Sequence, residues 1–438
     1  MAIEYPAGAD GRRSSLAFGR AVVTDALRTA DPAAAAAAEH ERDWRKGYLR
    51  HFVKLTELAT PEVAAAGLES IRRRVELPDL DGSPALTPET ITGSGIPERE
   101  VTIPYRGRLL RGGELDKQLD AWASGGIIEE SCAAAVREVA ANPDWLDLSG
   151  HTLVVLGAGA EMGPLPAVLG WGGTVVGVDL PRPALWERVV AVAEKSAGRL
   201  LALRADLIAE LPEVAASLAA VEGPLVLGNY VYAPGAVYPR LAVAVDALGE
   251  HLRQRGDVML AGLATPTDAF TVPAGAVAES RERWQRRSAR AKAGNLVSAG
   301  RMMRPNYPDG APAICDGLFP VQGPNYALAK RILRWRAAVT PMIFGVAPAT
   351  LTRSVTSNRL LAAAYAGAHV FDVEIFEPAT ASKLMAVLLV HGLRKPHRPP
   401  PADETYAAAH GGLWRVPYLP RSSLPLAAIR GLPAALRG

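Results

Sequence analysis

Two residues in the C-terminal half of the chain have the types and spacing needed to move a proton. Tyr326 and Lys330, in the segment NYALAK, are four residues apart and therefore share one face of a helix. An ammonium group beside a phenol favours the phenolate and lowers the pKa of the tyrosine. Such a tyrosine can pass a proton to or from an oxygen while a hydride moves at the neighbouring carbon. An ordinary helix with one half-buried tyrosine and one surface lysine has the same spacing.

A glycine-rich turn lies between two predicted strands, in the stretch HTLVVLGAGAEMGPLPAVLGWGGTVVGVDL. The apolar run 153–156 has strand length, and the small residues after Gly163 can continue as a helix. A second apolar run, 174–178, ends on Asp179. Strand, glycine turn, helix, strand and acid follow one another in this order in a dinucleotide-binding unit. In the alternative interpretation, the glycines only make a tight turn in another α/β protein.

The residue types in this turn match what a dinucleotide requires. Gly157 can adopt the backbone angles of a tight turn, Gly159 has no Cβ to block a pyrophosphate, and Gly163 lets the helix pack close to the strand. The N-terminus of the following helix would offer free N–H groups and a partial positive charge to the phosphates. Asp179 lies about twenty residues after the first glycine, where a carboxylate can accept hydrogen bonds from the ribose hydroxyls.

The segments around this unit alternate between strand and helix patterns, which predicts an α/β fold with a doubly wound, Rossmann-like parallel sheet. Successive strands joined by helices imply right-handed crossovers and parallel pairing. We predict a mostly helical N-terminal domain (1–147), a Rossmann-like nucleotide-binding domain (148–393) with an insertion at 266–323, and a Pro-rich C-terminal extension (394–438) that wraps the surface.

The N-terminal region carries repeated helix-start signals. Asp31-Pro32 and Thr60-Pro61 each place an N-cap residue before a proline at the first helical position, and Thr87-Pro88 predicts a third, shorter helix. A short extended piece is expected within 99–110. The region could serve packing or dimerisation, or it could close over an active site.

The insertion contains the basic segment RERWQRRSARAK (281–292), which opposes one acid with six basic residues. Such a helix is most often a solvated face. In the alternative interpretation it binds an anionic group of a cofactor or substrate.

Composition excludes several classes of protein. The 48 basic and 45 acidic residues leave a formal charge of +3, which is too close to balance to indicate nucleic-acid binding. Cys132 and Cys315 can form neither a disulfide framework nor a zinc site, which fits a reducing cytoplasm. The N-terminus lacks a signal-peptide pattern, and no apolar run is long enough to span a bilayer. We therefore expect a cytoplasmic protein that binds a small-molecule substrate, has no membrane span and could form homo-oligomers.

From about Leu148 to Leu393 the chain resembles the short-chain dehydrogenase/reductase family. The family's glycine motif, TGxxxGxG, matches LGAGAEMG at 156–163, with Glu161 in place of the middle glycine. The acid that ends the family's second strand corresponds to Asp179. Its adenine-contacting aspartate, which precedes an apolar residue, corresponds to Asp206-Leu207.

The resemblance continues through the later motifs of the family. Its NNAG segment looks like GNYVYAPG, with Asn229 as the counterpart, and its YxxxK pair would be Tyr326 and Lys330. The proline-containing turn that closes over the nicotinamide resembles VAPATLT, which contains Pro348, Thr350 and Thr352.

Besides Glu161 and the insertion before Tyr326, two further positions depart from the family's pattern. No serine follows the fifth strand, where Thr265 is the nearest hydroxyl, while Ser298 lies in the insertion. The helix from Tyr238 to Arg255 lacks the asparagine that completes the family's proton relay.

The resemblance implies an NAD(P)-dependent oxidoreductase that acts on a carbonyl or an alcohol. NAD is favoured over NADP because Asp179 would repel a 2′-phosphate, although Arg182 could reach such a phosphate. The catalytic residues would be Tyr326, Lys330 and Thr265. The cofactor-binding residues would be Gly157, Gly159, Glu161, Met162, Gly163, Asp179, Leu180, Arg182, Asp206, Leu207, Asn229, Pro348 and Thr350.

Two other function classes stay open. A methyltransferase that uses S-adenosylmethionine also begins with a glycine turn and an acid ending the second strand, and LRQRGDVMLAGL resembles its late helix-to-strand passage. That class does not account for NYALAK followed by VAPATLT. A non-catalytic nucleotide-binding regulator is favoured by the absence of the family's serine and asparagine. The pattern does not name the substrate, although the insertion suggests a bulky or anionic one.

Overall fold

The computed structural model has a seven-stranded, mostly parallel sheet at its centre, flanked by helices. It describes residues 3–8, 11–288, 295–296, 298–395 and 403–435. The strands are β1 Glu89–Thr92, β2 Ile103–Tyr105, β3 Arg108–Leu110, β4 Thr152–Leu156, β5 Thr174–Asp179, β6 Arg199–Arg204, β7 Leu225–Asn229, β8 Val258–Ala264, β9 Phe270–Thr271, β10 Ile314–Cys315 and β11 Met342–Val346. The helices are α1 Ser15–Arg28, α2 Pro32–Glu39, α3 Trp44–Glu57, α4 Pro61–Arg74, α5 Gly112–Ser124, α6 Glu130–Ala141, α7 Leu165–Gly170, α8 Pro183–Lys195, α9 Leu211–Ala219, α10 Val237–Leu252, α11 Ala274–Gln285, α12 Pro324–Val339, α13 Arg353–Thr356, α14 Arg359–Ala366, α15 Pro378–Arg394 and α16 Pro420–Ala435.

The strands of the central sheet follow the order β1-β6-β5-β4-β7-β8-β11. All pairings from β6 to β11 are parallel, whereas β1 pairs antiparallel with β6. Numbered along the chain, the six parallel strands are therefore arranged 3-2-1-4-5-6. The carboxyl ends of β4, β5, β7 and β8 meet at one edge of the sheet. The prediction of an α/β fold with a mostly parallel sheet is confirmed.

The two faces of the sheet are buried in two apolar clusters. In β4 the side chains alternate, so that Val154 and Leu156 belong to one cluster and Leu153 and Val155 to the other. The first cluster includes residues of α1 to α4, α9, α10 and α12. The second includes residues of α5 to α8 and α15. Helices thus cover both faces of the sheet.

The N-terminal helices begin where the capping signals predict. The side chains of Asp31 and Thr60 accept hydrogen bonds from backbone N–H groups in the first turns of α2 and α4. The expectation of a helix after Thr87-Pro88 is wrong, because Glu89–Thr92 forms strand β1 along the edge of β6. The extended piece predicted within 99–110 contains the hairpin of β2 and β3.

The insertion and the C-terminal region pack against each other. The Nδ2 of Asn306 donates to the carbonyl oxygen of Leu413, at 3.1 Å, and the Tyr307 hydroxyl donates to that of Trp414, at 2.9 Å. Trp414 is almost fully buried. The C-terminal region therefore does more than wrap the surface, since it contributes to the core. Residues 289–292 of the predicted basic helix lie outside the described residues, and α11 covers its beginning.

Within the described ranges, no helix is both long and apolar enough to cross a membrane.

Candidate functional site

One face of α12 lies against the chain segment that ends β8 and follows it. Tyr326, Lys330 and Arg334 are spaced by four residues and therefore share this face. Their partners lie within the segment 263–268. The helix positions the three side chains, and the end of the fifth parallel strand positions their partners.

The hydroxyl of Tyr326 is held by two threonines. Its oxygen lies 2.6 Å from Oγ1 of Thr265 and accepts a hydrogen bond from Oγ1 of Thr267 at 2.9 Å. The two threonine oxygens are 3.0 Å apart, so the three hydroxyl groups form a closed triangle. Tyr326 and Thr267 are buried and Thr265 is half-buried. Thr265, the hydroxyl nearest to the end of β8, therefore lies within hydrogen-bonding distance of the Tyr326 oxygen.

Lys330 is directed to the strand rather than to the phenol. Its Nζ donates to the carbonyl oxygen of Leu263 at 3.2 Å and lies 6.0 Å from the centre of the Tyr326 ring. Burial lowers the pKa of Lys330 to about 8, an effect that the negative charge of Asp268 partly opposes. The structure thus brings the three predicted catalytic residues together, but the lysine does not contact the tyrosine hydroxyl.

The expectation that Lys330 lowers the pKa of Tyr326 is wrong for the free protein. Burial raises the pKa of Tyr326 to about 12, and the hydrogen bonds of Thr265 and Thr267 only partly offset this effect. The physical reason is that removing the phenolate from water costs more free energy than its hydrogen bonds with the two hydroxyl groups recover. At neutral pH the group is therefore a phenol that carries its proton.

Asp268 anchors the turn that carries the two threonines. Its backbone N–H donates to the carbonyl oxygen of Thr265 at 3.1 Å, and its carboxylate lies 2.9 Å from Nη1 of Arg334. Nη2 of Arg331 lies 3.9 Å from the same carboxylate. All three charged side chains are buried, and Arg334 also forms an ion pair with the carboxylate of Glu404.

Aromatic rings connect this cluster to the loop that follows β7. The ring of Tyr326 lies 5.5 Å from that of Tyr238 and 6.3 Å from that of Tyr232, measured between centroids. Tyr232 is 53% exposed, so the aromatic group extends from the buried hydroxyl triangle to the protein surface.

The glycine turn after β4 has the predicted backbone shape at its first glycine. Gly157 has φ of 88°, and a Cβ there would lie 2.9 Å from the carbonyl oxygen of Tyr230. The backbone of Gly157 therefore packs closely against the loop that carries Tyr232. Asn229 ends β7 beside Leu156, and its Oδ1 is 3.4 Å from the backbone nitrogen of Val231.

The N–H group and the Cα of the second glycine, Gly159, are both in contact with other side chains of the protein. The N–H of Gly159 donates to Oδ2 of Asp179 at 2.9 Å, and the N–H of Leu180 donates to Oδ1 at 2.8 Å. Burial raises the pKa of Asp179 above its usual value, and these two hydrogen bonds only partly offset this effect. A Cβ on Gly159 would lie 2.8 Å from Cγ of Leu185. In this conformation the side chains of Asp179 and Leu185 therefore cover Gly159.

The helix after the turn is short. α7 begins two residues after Gly163 and has six residues, so its first amides do not belong to the turn itself. The carbonyl oxygen of Gly163 accepts a hydrogen bond from Ser382 on α15 at 2.7 Å. Met162 is half-buried and packs on the second apolar cluster.

The remaining predicted residues lie around the carboxyl edge. Glu161 accepts a hydrogen bond from the backbone N–H of Arg353 at 2.8 Å, which joins the glycine turn to the segment after β11. In that segment Pro348 and Thr350 are buried, and the hydroxyl of Thr350 donates to the carbonyl oxygen of Pro348 at 2.9 Å. Arg182 is exposed.

Asp206 follows β6, at the far side of the second parallel strand. Its Oδ1 accepts a hydrogen bond from the N–H of Ile208 at 2.8 Å, and the neighbouring Leu207 is buried. These contacts make a capped turn. Three strands lie between β6 and β8 in the sheet, so Asp206 is apart from the hydroxyl triangle.

Sequence reasoning missed Thr267 and Asp268. Both lie in the segment ATPTD directly after β8, so the signal was a second hydroxyl and an acid at the carboxyl end of a parallel strand. Among the described residues, no group of three or more His, Cys, Asp and Glu side chains could hold a metal ion.

Comparison with known proteins does not assign the chain, since no protein-family model and no curated protein matches it.

Proposed function

We propose that this protein is an NAD(P)-dependent oxidoreductase of the short-chain dehydrogenase/reductase type, acting on a carbonyl or alcohol group. The observation that carries the proposal is the hydroxyl of Tyr326, held 2.6 Å from Thr265 at the carboxyl end of the fifth parallel strand. Lys330 lies one turn further along the same helix. A buried phenol whose oxygen is held by a threonine can transfer a proton to a carbonyl oxygen.

The protonation state of Tyr326 favours the direction of reduction. With a pKa of about 12, the residue carries its proton at neutral pH and can give it to the oxygen of a carbonyl substrate. Bound NADH or NADPH would supply the hydride to the carbonyl carbon. The substrate then leaves as an alcohol, and the phenolate of Tyr326 takes up a proton from solvent to complete the cycle.

The fold of the proposed nucleotide domain is a doubly wound Rossmann-like sheet. The parallel strand order 3-2-1-4-5-6 supports this proposal, because the order reverses between β4 and β7, where open α/β sheets bind their ligands. The glycine turn and Asn229 lie at this reversal.

The residue types at the carboxyl edge of the sheet are those that could bind NAD, provided that the hydrogen bond between Gly159 and Asp179 is broken. Asp179 ends the second parallel strand, where an acceptor for the ribose hydroxyls is needed. The N–H of Gly159 would hold the pyrophosphate, and to do so it would release the carboxylate of Asp179 that it now binds. Asp206, Pro348 and Thr350 would complete the contacts. The carboxylate of Asp179 also favours NAD over NADP, which carries a further phosphate.

Titration of the purified protein with NADH, NADPH and S-adenosylmethionine tests the proposal. We expect nicotinamide fluorescence to report saturable binding of NADH and weaker binding of NADPH, and calorimetry to find no binding of S-adenosylmethionine. The variant Tyr326→Phe should bind NADH as the parent does, because the ring is kept and only the hydroxyl is lost. Binding of S-adenosylmethionine alone would support a methyltransferase instead and overturn the proposal.

A non-catalytic nucleotide-binding regulator is the second candidate. It is favoured by the hydrogen bond of Gly159 to Asp179, which closes the glycine turn until a ligand displaces it. This candidate predicts nucleotide binding without turnover of any carbonyl compound.

We further propose a cytoplasmic location and a small-molecule substrate. The two cysteines support the location, since Cys132 and Cys315 are both buried free thiols.

A further inference from the structure

Two threonine hydroxyl groups, and not one, contact the phenolic oxygen of Tyr326 in the hydroxyl triangle. Thr267 is 7% exposed and donates to the Tyr326 oxygen at 2.9 Å, while Thr265 approaches the same oxygen to 2.6 Å. Each hydroxyl can donate one hydrogen bond and accept two. When Tyr326 directs its own proton towards a substrate, both threonines can still donate to its oxygen.

Among the described residues, no cation forms a hydrogen bond with the oxygen on which negative charge would develop. The ammonium group of Lys330 is engaged with the carbonyl oxygen of Leu263, 6.0 Å from the centre of the tyrosine ring. The nearby positive charge of Arg334 faces Asp268. The negative charge of Asp268 itself opposes ionisation of Tyr326. Neutral donors must therefore hold the phenolate.

We infer that Thr267 is a second positioning residue of the site, which acts with Thr265 to hold the Tyr326 oxygen and stabilise the phenolate left after proton transfer. The inference rests on the proposed function, because it needs Tyr326 to be the proton donor. In the step, the O–H bond of Tyr326 breaks, a new O–H bond forms on the substrate oxygen, and the electron pair stays on the phenolate. The hydroxyl of Thr267 keeps its proton throughout and only shortens its hydrogen bond.

Matched variants of Thr267 separate this role from packing. Thr267→Val removes the hydroxyl and keeps the shape, Thr267→Ser keeps the hydroxyl and removes a methyl group, and Thr265→Val removes the other donor. Hydrogen bonds to charged groups contribute about 1.5–3 kcal/mol, so Thr267→Val should lower kcat by roughly 10- to 100-fold. KM and NADH affinity should not change, and Thr267→Ser should keep kcat within about threefold. Equal losses in Thr267→Val and Thr267→Ser would show a packing role and overturn the inference.

A spectroscopic readout decides the inference without turnover. The protein has 11 tyrosines, and labelling their Cζ atoms with ¹³C gives signals among which Tyr326 is identified by its loss in Tyr326→Phe. As the pH is raised towards the pKa of Tyr326, its signal should begin to move in the parent and in Thr267→Ser. The movement should be delayed to higher pH in Thr267→Val.

The two proposals fail in different ways. A Tyr326 signal that titrates identically in the parent and in Thr267→Val would refute the role of Thr267, whether or not the protein turns over. Full turnover in Tyr326→Phe would instead refute Tyr326 as the proton donor, whereas nucleotide binding without turnover of any carbonyl compound would refute the proposed function. Thermal melts of each variant confirm that the protein compared is folded.

Discussion

Lys330 should lower the stability of the protein at neutral pH, and the penalty should be relieved in alkaline solution. The side chain is half-buried on α12, and burial lowers its pKa from 10.5 to about 8. Below pH 8 the folded and unfolded states both carry the proton, so the folded state bears the cost of the buried charge. Between the two pKa values the folded state binds fewer protons than the unfolded state, and stability therefore rises with pH.

The size of the effect follows from the two pKa values. A difference of about 2.5 pH units corresponds to about 3 kcal/mol in the limit of complete titration. Part of the titration is complete at pH 9.5, and solvent screening of a half-buried group reduces the effect further. We expect about 1–2 kcal/mol between pH 7 and 9.5.

Urea unfolding followed by tryptophan fluorescence at pH 7 and pH 9.5 measures this difference. The comparison of the parent with Lys330→Met cancels the titration of all other groups, and the exposed Lys195→Met is the matched control. Between pH 7 and pH 9.5, the free energy of unfolding of the parent should rise by about 1–2 kcal/mol relative to that of Lys330→Met. The difference in free energy of unfolding between the parent and Lys195→Met should stay constant. A constant difference for Lys330→Met, or one of opposite sign, would refute the reasoning.

Three further changes probe the surroundings of the site. Asp268→Asn removes one of the two carboxylates that face the buried guanidinium of Arg334, the other being that of Glu404, and should destabilise the protein by about 1.5–3 kcal/mol, measured by urea unfolding. Gly159→Ala would place its Cβ 2.8 Å from Leu185, so it should lower the melting temperature, and the added change Leu185→Ala should restore it. Asp179→Asn removes the charge that would repel a 2′-phosphate, so fluorescence titration should find NADPH bound about as tightly as NADH.

Local sequence patterns were enough to predict two central strands of the sheet and the first residues of two helices. The apolar runs at 153–156 and 174–178 lie within β4 and β5, and the capping signals at Asp31 and Thr60 begin α2 and α4. These features depend on neighbours in sequence, so periodicity and capping chemistry can predict them. The joining of Thr265 to Tyr326 could also be expected, because the end of a strand and a later helix meet at one edge of such a sheet.

Features set by distant segments could not be predicted in this way. The strand at Glu89–Thr92 forms because β6 offers an unpaired edge, which outweighs the local helix signal at Thr87-Pro88. The pKa of Tyr326 depends on how deeply α12 is buried, and spacing along one helix carries no information about burial. The hydrogen bond between Gly159 and Asp179 likewise depends on a side-chain orientation across two strands.

Transfer of deuterium from NADH to a carbonyl substrate tests the central claim most directly. The protein is incubated with NADH that carries deuterium at the transferable position of C4 and with a panel of aldehydes and ketones, and the products are examined by mass spectrometry. The proposed function predicts an alcohol with one deuterium on its carbinol carbon, formed about a hundred- to ten-thousand-fold more slowly by Tyr326→Phe. No deuterated alcohol from a protein that binds NADH would contradict the proposed function, and deuterated alcohol formed at the same rate by the parent and by Tyr326→Phe would contradict the role of Tyr326 as the proton donor.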